Sequence, residues 1–131
     1  MSDLNLRIPG PVPLPEEVLE ITGRQMINHR GPEFAEIIDR MTTNFKKVLG
    51  TQGRAYFLTA SGTGSMEAAV VNTLSPGDRV LSVSIGSFGN RFGDIAEAYG
   101  AEVTRIEFEW GTAADPEKVR ETIRSMPDCA A

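Results

Sequence analysis

Residues 56–74 read YFLTASGTGSMEAAVVNTL, and three kinds of segment follow one another in this stretch. The apolar run 56–59 predicts a short buried strand, and the glycines and hydroxyls of 61–64 predict a loop. The Ala- and Val-rich run 66–74 predicts a helix. A strand, a loop and a helix in this order are typical of an α/β fold.

The rest of the chain continues this alternation after a turn at 75–78. The predicted elements are a strand at 80–83, a loop at 85–89, a helix at 91–99, a strand at 102–108 and a last helix capped by Asp115 and beginning at Pro116. Strands that alternate with helices in this way indicate a parallel sheet joined by right-handed crossovers.

Two helices are predicted before this region, behind a proline-rich arm over residues 1–14. The arm contains Pro9-Gly10-Pro11, which fits neither a helix nor a central strand. A moderately amphipathic helix is predicted over 15–27, and a second begins at Pro32 and ends at Gly50. Seven apolar side chains repeat at helical spacing in this second helix. Their burial would contribute on the order of 10–20 kcal/mol before opposing terms, so we expect this face to pack against a large surface.

The composition is that of a folded domain. The 131 residues are 40% hydrophobic and 24% charged, which disfavours disorder, and the net charge of −5 disfavours nucleic acid and anionic membranes as partners. No apolar stretch is long enough for a membrane span, and the single cysteine, Cys129, suits a reducing compartment as an idle thiol. We therefore expect a cytoplasmic protein. Residues 127–131 carry no closing strand or capped helix, which favours a fragment.

The loops at 61–64 and 85–89 are the expected ligand sites, because open parallel sheets bind ligands beyond the carboxyl ends of their strands. The run Ser61-Gly62-Thr63-Gly64 precedes a helix, so free amides and the positive helix end converge beside two hydroxyls. This arrangement predicts a phosphate-binding cradle. The alternative is a tight turn with a polar cap.

Two common phosphate motifs do not match this loop. A P-loop requires a lysine followed by Ser or Thr, and no lysine lies between Lys47 and Lys118. The dinucleotide fingerprint needs a third glycine where Glu67 stands, so NAD is only a weak alternative.

Several motifs of the chain together resemble class V aminotransferases, and in particular the alanine–glyoxylate and serine–pyruvate aminotransferase group. The resemblance runs from Ile8 to about Arg120. The motifs, in order, are Pro9-Gly10-Pro11, His29-Arg30-Gly31-Pro32-Glu33-Phe34, the run from Ser61 to Ala69, Ser75-Pro76-Gly77-Asp78 and Gly86-Ser87-Phe88-Gly89-Asn90-Arg91.

This resemblance implies a truncated α/β protein of the pyridoxal 5'-phosphate (PLP)-dependent transferase fold type I, whose large domain has three α/β/α layers and a mainly parallel sheet. Residues 1–14 would form the N-terminal arm, and residues 15–131 the N-terminal part of the PLP-binding large domain. The rest of the large domain and the C-terminal small domain would be absent.

The resemblance also implies site residues. Ser61, Gly62 and Thr63 match the segment that binds the cofactor phosphate, and Phe88 matches the aromatic residue that stacks on the pyridine ring, with core packing as its alternative. Pro9 and Gly10 match the arm segment that borders the substrate carboxylate, although this segment could equally be a rigid lead-in to the first helix.

No catalytic residue is assigned in this chain. The family requires a Schiff-base lysine and an aspartate at the pyridine nitrogen, and the resemblance places both further along than this chain extends. We expect Lys46, Lys47 and Lys118 to be solvated surface charges on helices.

Three other polar residues are expected to have structural roles. The single histidine, His29, supports neither a metal site nor a catalytic triad, and a place beside Arg30, at a subunit contact, fits it better. Arg91 could pair with a carboxylate or brace the loop that carries Phe88, and Glu67 is expected to fix the phosphate loop.

The implied parent enzyme moves an amino group from a small amino acid, alanine or serine, to a 2-oxo acid, glyoxylate or pyruvate. The resemblance further implies a homodimer, and we expect the isolated chain to be inactive. Another class V activity, such as aminoethylphosphonate transamination, is an alternative. A non-catalytic α/β module that binds a phosphate ligand is a second alternative from a different functional class.

Overall fold

The computed structural model describes residues 6–131 and divides the chain into two units, the first ending at Tyr56 and the second beginning at Phe57. The first unit contains the helices α1 (Glu16–Thr22) and α2 (Pro32–Leu49). The second unit contains α3 (Gly62–Thr73), β1 (Arg79–Ser84), α4 (Ser87–Ala98), β2 (Glu102–Glu107) and α5 (Pro116–Ser125). None of the helices within residues 6–131 combines the length and the apolar character that crossing a membrane requires.

The bounds predicted for α2 are confirmed at both ends. Pro32 occupies the first turn, where its missing N–H costs no helical bond. Gly50 ends the helix in the left-handed conformation, with φ 63°. No residue of α2 is fully buried within the part of the chain that the structure describes, and Val48 is 80% exposed. Of the seven apolar side chains of this face, Phe34, Ile37 and Ile38 are half-buried and the other four are exposed. The expected burial is therefore only partial within the described residues.

The helix predicted over 15–27 is shorter in the structure. It spans Glu16–Thr22, and Gly23 is its C-cap. A glycine inside a helix costs about 1 kcal/mol relative to alanine, and extending α1 past Gly23 would add no buried side chain, since Met26 is 92% exposed. The prediction was wrong for 23–27 because it counted apolar spacing and neglected this cost.

The predicted parallel sheet is confirmed in the second unit. β1 pairs with β2 in parallel, in register from Arg79 opposite Glu102 to Ser84 opposite Glu107, and α4 forms the crossover between the strands. The core on this sheet is built from small and branched apolar side chains. Its buried members are Val70, Val80, Ala96 and Ala101, with Leu74, Ile95 and Val103 packed against them.

The other edge of β1 pairs with the last residues of the chain. Cys129 forms a parallel bridge with Arg79, the Ala130 amide donates to the Arg79 carbonyl at 2.8 Å, and the Leu81 amide donates to the Ala131 carbonyl at 2.8 Å. The structure has no strand or helix over 127–131, as expected, and the isolated bridge with its two flanking backbone bonds is a contact that the sequence did not predict. A run of three small residues has no periodicity of its own, and only the neighbouring strand gives it extended pairing.

The strand predicted at 56–59 is absent. These residues belong to no strand, and Tyr56 and Leu58 are 75% and 67% exposed. Because β2 and the segment 129–131 occupy the two edges of β1, this run has no place beside the central strand. The apolar run predicted a buried strand, but all four residues are exposed, and the run carried no information about which edge of β1 would be open.

Candidate functional site

The predicted phosphate segment forms the N-terminus of α3. Ser61 is the N-cap, and its Oγ accepts a hydrogen bond from the Gly64 amide at 3.3 Å. The first helical bond runs from the Ser65 amide to the Ser61 carbonyl. The amides of Gly62 and Thr63 precede that bond and so have no acceptor inside the helix. The predicted loop at 61–64 is thus shorter than expected, since the Ser61 cap lets the helix begin at Gly62 rather than 66.

The glycines of this turn leave room for a ligand and for the preceding backbone. A Cβ on Gly62 would meet no heavy atom within 4 Å, so the first turn of α3 is open beside that amide. A Cβ on Gly64 would lie 2.9 Å from the Ala60 Cβ, so glycine allows the chain to approach the helix closely there. The two positions together form a shallow cradle with exposed donors.

The second predicted loop also becomes the start of a helix. β1 ends at Ser84, which is buried, and its Oγ donates to the Gly86 carbonyl at 2.8 Å. Gly86 is the N-cap of α4, so Phe88 lies in the first helical turn and not on a loop as predicted. The Phe88 side chain is 53% exposed, which disfavours the alternative of ordinary core packing.

Arg91 joins the two helix N-termini. Its Nη1 donates to Thr63 Oγ1 at 3.1 Å, and its guanidinium carbon lies 5.3 Å from the centroid of the Phe88 ring. Arg91 forms no ion pair with any residue from 6 to 131. The sequence left two roles open for Arg91, pairing with a carboxylate or bracing the segment that carries Phe88. The structure shows the second, and both Thr63 and Phe88 contact the Arg91 guanidinium.

A second contact ties α3 to α4 at the other end of α4. The Tyr99 hydroxyl donates to Glu67 Oε1, and this bond is the main cause that raises the pKa of Tyr99 above its ordinary value, with desolvation and the Glu67 charge adding to it. Glu67 therefore fixes the helix pair rather than the phosphate loop alone. Tyr99 was missed by sequence reasoning, since no local pattern connects residues 67 and 99.

Arg105 on β2 holds α4 against the sheet and was likewise missed. Its Nη2 lies 2.9 Å from Asp94 Oδ1 and 2.8 Å from Glu97 Oε2. The Glu97 bond is the main cause that raises the pKa of Arg105, and Asp94 adds to it. The spacing of two acidic residues three apart on one helix was the available signal for this cluster.

The remaining predicted residues lie away from this pair of helix ends in the sequence. Pro9 and Gly10 belong to the first unit and are exposed, and their predicted contact with a substrate carboxylate stays a prediction. His29 and Arg30 lie in the turn between α1 and α2, where the Arg30 amide donates to Asn28 Oδ1 at 3.0 Å. No residue of this turn forms a hydrogen bond or an ion pair with the His29 side chain in the described structure.

The three lysines lie on helices, as the sequence predicts. Lys46 and Lys47 are in the last turn of α2, and Lys47 Nζ donates to Asn44 Oδ1 at 3.4 Å. Lys118 is in the first turn of α5, with its Nζ 5.2 Å from the centroid of the Phe108 ring.

An apolar cleft of about 220 Å³ lies between α3, α4 and β1. Its lining includes Val70, Leu81, Phe92 and Ala131, but none of the predicted cofactor-binding residues. The polar groups of the candidate site lie at the helix N-termini and not in this cleft.

The donor set at these helix ends fits a phosphorylated aromatic ligand. Two backbone amides, the hydroxyls of Ser61 and Thr63 and one guanidinium are the groups that hold phosphate oxygens in proteins. The Phe88 ring offers a flat apolar face for a heteroaromatic ring. These groups fit PLP, which carries both a phosphate and a pyridine ring.

The chain has relatives among known proteins and among solved structures. No protein-family model matches it. The chain is 46% identical over 112 residues to the small subunit of a soluble hydrogenase from Synechococcus sp., covering 86% of this chain and 29% of that protein. It is 38% identical over 122 residues to a serine–glyoxylate aminotransferase from Methylorubrum extorquens, covering 92% of this chain and 30% of the relative. The crystal structure of ureidoglycine–glyoxylate aminotransferase from Bacillus subtilis matches with a TM-score of 0.82 and 30% identity, over 92% of this chain and 31% of that one.

These comparisons confirm the resemblance that the motifs indicate. The homologues and structural neighbours of the chain include class V aminotransferases of the alanine/serine–glyoxylate type, and that family implies PLP as the cofactor. The predicted fold class is confirmed as well, since the chain is a partial α/β piece with a parallel sheet. The chain spans about 30% of the length of these relatives.

Proposed function

We propose that this chain is the part of a PLP-dependent aminotransferase that binds the cofactor phosphate and one face of the cofactor ring. The observation that carries the proposal is the pair of contacts made by Arg91, which join Thr63 in the cradle to the Phe88 ring. The serine–glyoxylate and ureidoglycine–glyoxylate aminotransferases among its relatives support the same reaction class.

In this proposal the residues of α3 hold the phosphate. The amides of Gly62 and Thr63 donate to its oxygens, as do the hydroxyls of Ser61 and Thr63. The positive end of the helix adds about 0.3–1 kcal/mol per charge, so the hydrogen bonds contribute most of the affinity. The cradle thereby fixes one end of the cofactor without any residue that reacts.

Phe88 covers one face of the cofactor ring in this proposal. Its half-exposed side chain has apolar surface to bury, and a stacked ring pair contributes about 0.5–1.5 kcal/mol beyond the area that it removes from water. The stack also excludes water from that face. When bound, PLP supplies an electron sink that stabilises negative charge on the substrate α-carbon.

No residue of this chain is proposed to react. Lys46, Lys47 and Lys118 are solvated helix residues, and we expect none of them to form a specific imine with PLP. Reduction of a mixture of the chain and PLP with borohydride, followed by peptide mass mapping, should give only substoichiometric adducts spread over several amines. A stoichiometric adduct on one of these lysines would contradict the proposal that the chain itself is inactive.

The substrates are proposed from the resemblance and from the names of the relatives. The amino donor would be alanine or serine and the acceptor glyoxylate or pyruvate, with Pro9 and Gly10 bordering the substrate carboxylate. The parent protein would be a cytoplasmic homodimer. Aminoethylphosphonate transamination is the alternative within the same family, and it would need a further phosphonate-binding group.

The test is an assay of the complete protein that contains this chain. The open reading frame that includes these residues is expressed, and the purified protein is supplied with PLP, one amino donor and one 2-oxo acid. We expect serine or alanine consumption that requires glyoxylate or pyruvate, together with stoichiometric PLP. Protein that contains PLP but transfers no amino group from any donor would overturn the aminotransferase assignment.

The hydrogenase relative defines a second candidate. This relative is 46% identical to the chain over an alignment that covers most of it, so the function that its name states is a candidate for this chain. A hydrogenase subunit predicts hydrogen-dependent reduction of a viologen dye by the assembled complex, with no dependence on PLP. Measuring viologen reduction beside amino transfer on the same preparation separates the two functions.

A further inference from the structure

We infer that Arg91 is a positioning residue that makes this site select a phosphorylated ligand over the same ligand without its phosphate. The inference rests on the proposed function and adds a specificity-determining role for a residue that touches both halves of the site. Three observations carry it: the bond to Thr63, the charges around Arg91, and the contact with Phe88.

The bond to Thr63 sets the direction of the Thr63 hydroxyl. A hydroxyl has one hydrogen to donate and two positions at which it accepts. Arg91 Nη1 fills one accepting position at 3.1 Å, and a guanidinium cannot accept a bond in return. Within residues 6–131 the Thr63 hydroxyl donates to no acceptor. Its hydrogen is therefore left for an acceptor that enters the cradle, and an anionic oxygen is the best one.

The charge of Arg91 is not cancelled by its neighbours on α4. The nearest carboxylates along this helix, Asp94 and Glu97, both pair with Arg105, at 2.9 and 2.8 Å. Arg91 has no carboxylate partner anywhere in the described part of the chain. In a chain of net charge −5, Arg105 thus leaves one uncompensated cation beside the cradle. A dianionic ligand gains from that cation, whereas a neutral ligand does not.

The contact with Phe88 makes the ring depend on the same side chain. Phe88 and Arg91 are three residues apart on α4, so they lie on one face of the helix. With the guanidinium 5.3 Å from the ring centroid, the pair is within cation–π range. Loss of Arg91 would leave both the Thr63 hydroxyl and the Phe88 ring without this contact. A bound phosphate would in addition lose its attraction to the positive charge of Arg91, whereas a ligand without phosphate would not.

The experiment compares two probes that cannot form imines with lysine: pyridoxine 5'-phosphate and pyridoxine. Their dissociation constants from the whole chain are measured by isothermal titration calorimetry for the unchanged sequence, Arg91→Met and Arg91→Lys. Arg120→Met is the matched control. Arg120 is an exposed arginine on α5 that pairs with Glu117, and its substitution by Met removes the same charge as Arg91→Met.

We expect Arg91→Met to weaken pyridoxine 5'-phosphate about tenfold and pyridoxine less than twofold. Arg91→Lys keeps the charge but loses the planar face, and should weaken the phosphate probe about threefold. Arg120→Met should leave both constants unchanged. Adding Arg91→Met to Thr63→Val should weaken the phosphate probe by less than the tenfold expected of Arg91→Met alone, since the part of the effect that acts through the hydroxyl is already lost and only the charge remains.

Each outcome bears on one of the two claims. An unchanged chain that binds the phosphate probe no better than pyridoxine overturns the proposed phosphate cradle itself. A preference for the phosphate probe that is as large in Arg91→Met as in the unchanged chain overturns the role of Arg91 and leaves the cradle in place. Equal weakening of both probes assigns Arg91 to the ring alone and also overturns the inference. Should circular dichroism show Arg91→Met unfolded, Arg91→Gln, which also removes the charge, replaces it in the same comparison.

Discussion

A side chain at Gly89 in α4 would clash with the backbone at the end of β1, and replacing Gly89 with alanine tests the packing that builds the site. A Cβ on Gly89 would lie 2.7 Å from Ser84 Oγ and 2.9 Å from both Cα and Cβ of Ser84. Rotation of the Ser84 side chain moves only the Oγ. The other two contacts persist, so the first turn of α4 must shift away from the strand.

The size of the effect follows from two opposing contributions. Forcing an extra carbon into a close contact costs about 1–3 kcal/mol, and alanine in place of a helical glycine returns up to about 1 kcal/mol. We expect Gly89→Ala to lower the free energy of unfolding by about 1–2 kcal/mol. The same shift moves Phe88 and Arg91, so binding of a phosphorylated pyridine should weaken as well.

Two other glycines provide matched controls for this substitution. A Cβ on Gly93 would meet Ser82 Oγ at 2.7 Å and Arg105 Nη1 at 2.8 Å, both ends of side chains that can move. Gly93→Ala should therefore cost less than about 1 kcal/mol after the helix gain. Gly62→Ala meets nothing within 4 Å and should cause no loss of stability.

Urea unfolding of the whole chain, followed by far-ultraviolet circular dichroism, measures the three variants on one scale. The order of stability should be Gly62→Ala, then Gly93→Ala, then Gly89→Ala. If Gly89→Ala unfolds at the same urea concentration as Gly93→Ala, or if Gly62→Ala is destabilised as much, then close helix–strand contact does not control this end of α4.

Two further predictions concern a helix cap and a hydrogen bond. Asp115 Oδ1 accepts from the Glu117 amide at 2.9 Å, so Asp115→Ala should cost about 1 kcal/mol in urea unfolding while Asp115→Ser costs little; equal losses would contradict a capping role. The Glu67 bond raises the pKa of Tyr99, so its contribution to stability is complete below the ordinary phenol range, near pH 10, and is lost as pH rises through the raised pKa. Stability curves of the unchanged chain and Tyr99→Phe should therefore converge at high pH, and tyrosinate absorbance should show that Glu67→Gln lowers the Tyr99 pKa.

Helices α2 and α5 could be predicted because their ends are marked by local chemistry. Pro32 and Gly50 delimit α2, and Asp115 and Pro116 begin α5, where each residue acts on backbone groups within a few positions of itself. Such signals do not depend on the rest of the fold. The sequence predicted the bounds of α2 correctly for this reason.

Strand pairing could be predicted only where each strand has its partner among the described residues. β1 and β2 find one another across a single helix, and their apolar runs indicate them correctly. The run at 56–59 has the same apolar character but no strand, whereas the unremarkable residues 129–131 pair with β1. Pairing at a strand edge depends on both segments that pair. The absence of a strand at 56–59 and the pairing of 129–131 therefore could not be predicted from either segment alone.

The candidate site residues were proposed one by one from motifs, and their contacts with a cofactor stay predictions, whereas the contacts that join them could not be predicted. Ser61, Gly62, Thr63 and Phe88 came from motifs, while the Arg91 bond to Thr63 spans 28 residues and has no local signal. The strand expected to support α3 is not formed.

The cradle and the ring nevertheless share one cation, because α3 packs directly on α4 and is tied to it twice, by Arg91 to Thr63 and by Tyr99 to Glu67. Val70 of α3 and Ala96 of α4 also belong to one buried core cluster. The geometry of the proposed phosphate cradle therefore depends on the contact between α3 and α4 and on the packing of α4 against β1. It does not depend on a strand before Ser61. For that reason substitutions at Gly89 should disturb ligand binding more than substitutions in 56–59, although the second segment is nearer to the cradle in the sequence.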